Sequence, residues 1–229
     1  MPLWIPKELT VSVEDVLCAQ GIDHKAGQSR LASLAEAASL AIAEGSPVLS
    51  PAVLYRELPV IAFEHDRIIF DGGASLSGPL IARHLGAAQT IIVLLCSIGP
   101  GLESAISDRV ETDPLMALGL EGLGSAAVEK LCRLACQHFG ERAQTAGLST
   151  CAPLSPGMVG WPVSRGQREI FSLIDGREIG VTLTGSQMML PRKSLSMAIG
   201  VGATLHQSGE PCDHCSLRGT CRHRRRREA

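Results

Sequence analysis

The chain has 229 residues, of which 45% are hydrophobic and 19% charged, a balance that builds a folded core and excludes a disordered protein. Aromatic residues reach only 3%, with Tyr55 the sole tyrosine, which argues against a stacking platform for single-stranded nucleic acid. The net charge of −2 is uneven: from Arg222 onward five arginines stand against Glu228, leaving about −6 for the rest. Such a run reads first as a solvated end and next as a docking element for an acidic protein. It is a poor electrostatic footprint for nucleic acid.

Met1-Pro-Leu-Trp-Ile-Pro-Lys lacks a basic region followed by an apolar stretch, so no secretory signal is expected and the protein is placed in the cytoplasm. Its eight cysteines are then expected as thiols or metal ligands rather than disulfides. Val11-Ser-Val-Glu-Asp-Val-Leu opens a helix with a capping serine and acids in the first turn. After a break at Gly21, Gln28–Glu44 carries leucine and alanine at three- and four-residue spacing, and Gly45 ends it. Pro47 and Pro51 make a turn. Val60-Ile-Ala-Phe and Arg67-Ile-Ile-Phe-Asp read as a hairpin around His65-Asp66, closed by Asp71-Gly-Gly.

Ile81–Leu85 is a short helix. The longest apolar run, Ile91 to Ile98, is too short to span a bilayer as a helix. Its β-branched residues and the Gly99-Pro100 stop make Thr90–Ser97 a buried central strand. Gly99-Pro-Gly-Leu-Glu opens one helix, and a long one runs from Pro114 to about Ala146. Gly119, Gly122 and Gly124 each cost about 1 kcal/mol in a helix interior. Three so close together predict approach of another backbone or a ligand, a break, or tight helix–sheet packing. Leu148–Leu154 reads as a strand, 155–162 as a Pro-Gly loop, and Val163–Ile174 as an amphipathic segment. Gly180–Thr184 and Ser194–Val201 are further strands. The mixture lacks a βαβ rhythm, so an α+β fold is expected. Residues 1–208 form one domain and 209–229 a separable module.

Several spaced motifs agree in order with the activation domain of cobalamin-dependent methionine synthase. Ser155-Pro156-Gly157 resembles that family's loop, and Gln167 the glutamine of the following helix. Leu183-Thr184 and Ser186 resemble its Leu-Thr-x-Ser. Met189, Pro191 and Ser194-Leu-Ser196 resemble its final turn and strand. Upstream, Ser97-Ile-Gly99 with a following glutamate, and Gly124-Ser-Ala-Ala-Val-Glu129, resemble its Thr-x-Gly segment and its helix. The similarity covers most of residues 10–205.

The resemblance implies helices around a largely antiparallel twisted sheet. It also implies an S-adenosylmethionine site that includes Ser155, Pro156, Gly157, Met158 and Ser186. A Pro-Gly pair fits that role, because glycine lets main-chain amides approach a ligand closely. Three polar positions of the family pattern differ here. Its carboxylate-binding arginine is Pro153, its loop tyrosine is Met158, and its glutamate is Gly185. Arg165, Arg168 and Arg192 are the candidates to replace the lost charge.

Cys212-Asp-His-Cys215 followed by Cys221 gives C-x2-C-x5-C, a spacing that clamps one metal and closes the site with a third thiolate. It is similar to the start of the auxiliary-cluster pattern of some radical enzymes, where a fourth cysteine would replace Arg225. Three readings stay open: an iron–sulfur cluster with an open or borrowed ligand, zinc completed by His214 or His223, and unligated thiols. Elsewhere, His65, His84 and His138 read as surface or satisfied histidines. Met188-Met189 reads first as core packing and next as pocket lining, and Cys132 with Cys136 as buried thiols sharing a helix face.

As a stand-alone relative of the activation domain, the protein is expected to dock on a corrinoid-dependent methyltransferase and help return its cobalt to the active state. Cobalamin would sit on that partner, and the cysteine tail would pass an electron from an unidentified donor. The alternative is a metal-stapled binding protein that kept the fold and lost catalysis, favoured by Pro153, Met158 and Gly185. A nucleic-acid protein using the arginine tail is the third reading.

Overall fold

The computed structural model describes residues 1–22, 28–205 and 219–220. The Cys212, Cys215 and Cys221 motif, the arginine run and the 208/209 boundary lie outside the described residues. In chain order the elements are β1 (Leu3–Trp4), α1 (Val13–Ala19), α2 (Gln28–Gly45), β2 (Ala52–Pro59), β3 (Ala62–Glu64), β4 (Arg67–Ile69), β5 (Ser75–Ser77) and α3 (Pro79–Leu85). There follow β6 (Thr90–Ser97), α4 (Gly101–Ser107), α5 (Pro114–Thr145), β7 (Ser149–Thr150), α6 (Val163–Leu173), β8 (Thr182–Leu183), β9 (Met189–Leu190) and β10 (Ser194–Gly202). The fold is α+β, as the sequence leads one to expect.

An antiparallel sheet usually wets one face and alternates along its strands. The apolar run of β6 does not alternate, and the reason is that both its faces are covered. The main sheet has the order β1-β2-β6-β10-β7 and is antiparallel throughout. From β6, Ile92, Leu94 and Cys96 face a core shared with α1, α2, α4 and α5. Ile91, Val93 and Leu95 face the opposite core, built with α3, α6 and the three-stranded sheet β3-β4-β5. β10 pairs with β6 from Ser194 opposite Ser97 to Val201 opposite Thr90.

α1 starts on a capping box between Ser12 and Asp15, which satisfies otherwise orphaned amides. α5 runs unbroken through its glycines, which rules out the break. A Cβ on Gly119 would stand 2.9 Å from the Ala41 Cβ and 3.0 Å from the Ala37 carbonyl oxygen, both on α2. One on Gly122 would meet Val16 of α1 at 2.9 Å. Gly119 and Gly122 therefore admit neighbouring helices, while a Cβ on Gly124 would meet Leu102 of α4 at 2.8 Å and Lys193, just before β10, at 2.9 Å.

One strand, β2, has no counterpart in the sequence reading, and two expected strands are shorter than their sequence suggests. β2 combines Val53 and Leu54, both buried, with exposed Arg56 and Glu57, so its pattern fits neither a one-sided nor a fully buried strand. The strand expected at Leu148–Leu154 is only β7, joined by an isolated bridge from Leu154 to Ala198. Cys151 N donates to Gly200 O and Leu154 N to Ala198 O, and between them Pro153 has no amide to give. The strand expected at Gly180–Thr184 shortens to β8, because Gly180 caps a 3-10 turn at φ 71°. Among the described residues no helix is long and apolar enough to cross a membrane.

β1 is fastened to α5 by stacking. The Trp4 and His138 rings lie 4.9 Å apart at 19°. Burial, helped by the nearby Arg142 cation, lowers the His138 pKa below its ordinary 6.5. A histidine depressed in this way contributes fully above about pH 6.5, and its contribution is lost as the pH falls through the lower folded-state value. Thermal melts should therefore fall between about pH 7.5 and about pH 5.5 more steeply in the native protein than in a His138→Gln variant. A second expectation concerns the helix pair: Gly119→Val should lower stability by about 1–3 kcal/mol in urea denaturation, as overpacking does.

Candidate ligand-binding loop and its supports

The Pro-Gly loop of residues 155–162 is held from beneath by one aromatic side chain. Trp161 is fully buried, and its indole Nε1 donates to Glu169 Oε2 at 2.9 Å. Glu169 lies two turns along α6 and takes a second bond on its other oxygen, from Ser77 Oγ of β5. Pro156 packs where a side chain on Gly166 would stand, at 2.9 Å from the ideal Cβ position. The Gly160 carbonyl comes within 2.5 Å of the Cβ position of Gly78, which stands at φ +141° before α3. No side chain fits there. The loop is thus tied at once to α6, to β5 and to the start of α3.

Its main chain closes on itself. Gly157 N donates to Trp161 O at 2.8 Å, Met158 N to Ser155 O at 3.2 Å, and Trp161 N to Met158 O at 2.9 Å. Gly157 at φ +103° and Gly160 at φ +90° make these turns possible. Three amides that the sequence offers to a ligand are therefore used within the loop. Met158 packs against the α3–α6 core, and its sulfur lies 3.4 Å from Ser155 N. Outward, the loop shows Val159, 61% exposed, and the start of α6 shows Val163, 44% exposed.

The other motif residues are framework. Gln167 is buried on α6 and its Oε1 accepts from Ser196 Oγ at 3.0 Å. Ser194 Oγ donates to Ser97 Oγ at 3.0 Å, and Gly99 N donates to the same oxygen. Ser186 lies in the β8–β9 turn, its Oγ 2.9 Å from Thr184 Oγ1. Arg192 is not available to replace a lost charge: its guanidinium pairs with Glu121 at 2.8 Å, and its amide donates to Glu103. Neighbouring Lys193 binds Glu121 and Ser125. Arg165 and Arg168, in the first half of α6, have no ion-pair partner among the described residues.

Two clefts lie away from the loop. One, of about 450 Å³, runs past the end of α6 and is lined by Arg56, Leu173, Ile174, Asp175, Arg177 and Leu183 among others. Arg56 Nη1 donates there to Leu173 O at 3.0 Å. The Arg177 guanidinium hydrogen-bonds Asp175 and holds its carboxyl down to about 2. The second, of about 200 Å³, is lined by Arg83, His84, Cys151, Thr204 and Leu205 among others. Neither is lined by Ser155, Pro156, Gly157, Met158 or Ser186.

The described residues hold no cluster of three metal-ligating side chains. Cys132 hydrogen-bonds Cys96, which with burial pushes its thiol well up, and burial pushes Cys136 up to about 12. Cys132 is buried as the sequence reading has it, while Cys136 is half-buried.

No protein-family model matches the sequence, and no curated protein matches it. Among solved structures, the MetH reactivation domain bound to AdoHcy is similar, with a TM-score of 0.61 over 87% of this chain and 79% of that one. This chain has the fold of the MetH reactivation domain. Identity to that MetH domain is 12%, so what the two share is architecture, and the loop chemistry has to be judged on the residues present here.

Trp161 and Glu169 carry the loop, yet no spacing rule marks them. Glu169→Gln places an amide N–H against one of two donors and should cost about 1–3 kcal/mol, the penalty of an unpaired buried group. Hydrogen exchange at the Gly157 and Trp161 amides should accelerate in that variant while exchange in β6 does not.

Proposed function

We propose that the protein is a reactivation or accessory factor for a cobalamin-dependent methyltransferase of the methionine synthase type, acting in the cytoplasm. The observation that supports this reading is the fold shared with a reactivation domain solved with AdoHcy. The order of Ser155-Pro156-Gly157, Gln167, Ser186 and Ser194–Ser196 along the same chain agrees with it. In this reading the 155–162 loop, with Ser155, Pro156, Gly157 and Met158, and the turn bearing Ser186 face the corrinoid partner or an S-adenosyl ligand. Exposed Val159 and Val163 suit contact with a protein or corrinoid surface better than capture of a carboxylate.

Cys212, Cys215 and Cys221 hold a metal centre, iron–sulfur or zinc. An iron–sulfur cluster held by these cysteines would supply single electrons for reducing the partner's cobalt, drawn from a low-potential one-electron carrier. With cobalamin on the partner, this chain positions and delivers rather than catalyses.

A second reading is a binding protein that kept the fold and lost S-adenosylmethionine. It is favoured by the inward-packed Met158 and the self-bonded loop amides. One pair of measurements tests both. Anaerobic gel filtration with a cobalamin-loaded methyltransferase domain should give a stable complex, and calorimetric titration with AdoHcy should give saturable heat. A complex without AdoHcy binding selects the electron-delivering form of the first reading. Failure of both measurements leaves the binding-protein reading.

A further inference from the structure

Met1, Arg56 and Arg177 bring three cations to the lining of the cleft of about 450 Å³ at the end of α6, and the structure neutralises two of them. We infer that this cleft binds a small organic monoanion, a carboxylate carried on an apolar body, and that Arg56 recognises its charge. The site stands apart from the Pro-Gly loop, none of whose residues lines it.

Three observations carry it. The first is where β2 puts the arginine. Side chains two apart on a strand share a face, so Arg56 falls on the side of Leu54 and Leu58, both buried in the α3–α6 core. Across the sheet it stands opposite Val93, a residue of the same core. A cation in such a row is costly unless something compensates it. Its guanidinium leaves the row at the end of α6, where Nη1 donates to Leu173 O at 3.0 Å. Leu173 is the last residue of α6, so the bond satisfies a carbonyl that the helix end leaves open. It also pins the guanidinium at the cleft while spending one of five N–H donors.

The second is charge. The Met1 ammonium pairs with Glu178, and Arg177 pairs with Asp175 through Nε and Nη2. Arg56 has no carboxylate within ion-pair distance among the described residues, and its neighbour Glu57 is taken by Arg142. One uncompensated positive charge calls for one negative charge, and a guanidinium fork matches a carboxylate through two parallel bonds. The Asp175 carboxylate in the same lining repels a second negative charge, which selects against phosphate monoesters and dicarboxylates.

The third is the lining. Buried Leu173, Ile174 and Val181 border the cleft, and half-buried Phe171 and Leu183 join them. Small-molecule sites are commonly clefts of roughly 300–1,000 Å³ with apolar walls and a few polar groups that fix orientation. Here the open guanidinium shares its cleft with apolar side chains, which suits a ligand with its charge at one end.

The test titrates the full, isotope-labelled chain with phenylacetate and follows amide chemical shifts. The shifts should saturate and centre on Phe171, Asp175 and Thr182, with Gly157 and Val159 of the loop unmoved. Neutral phenylacetamide should bind at least about tenfold more weakly, and neither phenethylamine nor inorganic phosphate should compete. Arg56→Gln should weaken phenylacetate binding by at least about tenfold. Because that variant also loses a helix-end bond, Arg56→Lys is measured beside it; it keeps the charge without the fork and should fall between. Asp175→Asn keeps an oxygen to cap Arg177 N and frees a second guanidinium. It should tighten binding several-fold, a gain that damage to the fold does not produce. Equal binding by the native chain and Arg56→Gln, equal binding of acid and amide, or weaker binding in Asp175→Asn would overturn the inference. Shifts centred on the loop, or none that saturate, would overturn it as well.

Discussion

Burial of β6 on both faces is the constraint on which the rest of this molecule depends. A strand buried from Ile91 to Ser97 must have a packed layer above and another below, and its neighbours must keep register along its length. One slip would carry the hydrophobic set of β10 from one core to the other. The Ser97–Ser194 pair lies at the end of that register, two hydroxyls that meet only in the correct alignment. Through Ser196 and Gln167 the same strand fixes α6, and α6 carries the residues that hold the Pro-Gly loop.

The loop is therefore a rigid projection of the sheet. Three of its amides are spent internally, its methionine packs inward, and its exposed valines are apolar. A loop built this way presents a fixed shape to a large partner. It is less suited to wrapping a small charged ligand, for which it would first have to break bonds it already has. Positions such as Pro153 and Gly185, which bear no polar side chain, point the same way. Likeness to the MetH reactivation domain at the level of fold is compatible with a different division of labour at the level of residues.

Much of the framework was legible in the sequence because local signals and tertiary packing agree there. Thr90–Ser97, the Ser12 cap, the Pro114 start of α5 and the hairpin around His65 each combine a period with a breaker residue. β2 was not legible, since Val53-Leu54 reads as a buried strand while Arg56-Glu57 reads as a surface one, and both are true of different ends. The glycines of α5 announced a close approach without saying to what, because contact with α2 is made from residues some eighty positions away. Trp161 and Glu169 sit eight residues apart, a spacing with no local meaning until a loop folds back over a helix. Arg192 was a free charge on paper because its partner, Glu121, is distant in the chain.

The placement of the two tryptophans makes the protein its own optical gauge. Trp4 stands on an imidazole, and Trp161 stands on a carboxylate beneath the loop. Emission from the first tracks protonation of His138 and the seating of the N-terminal strand. Emission from the second tracks the seating of the loop, and whatever lands on it. With only two indoles in the chain, replacing Trp4 by phenylalanine leaves Trp161 as a single-colour reporter for the loop, free of any attached dye.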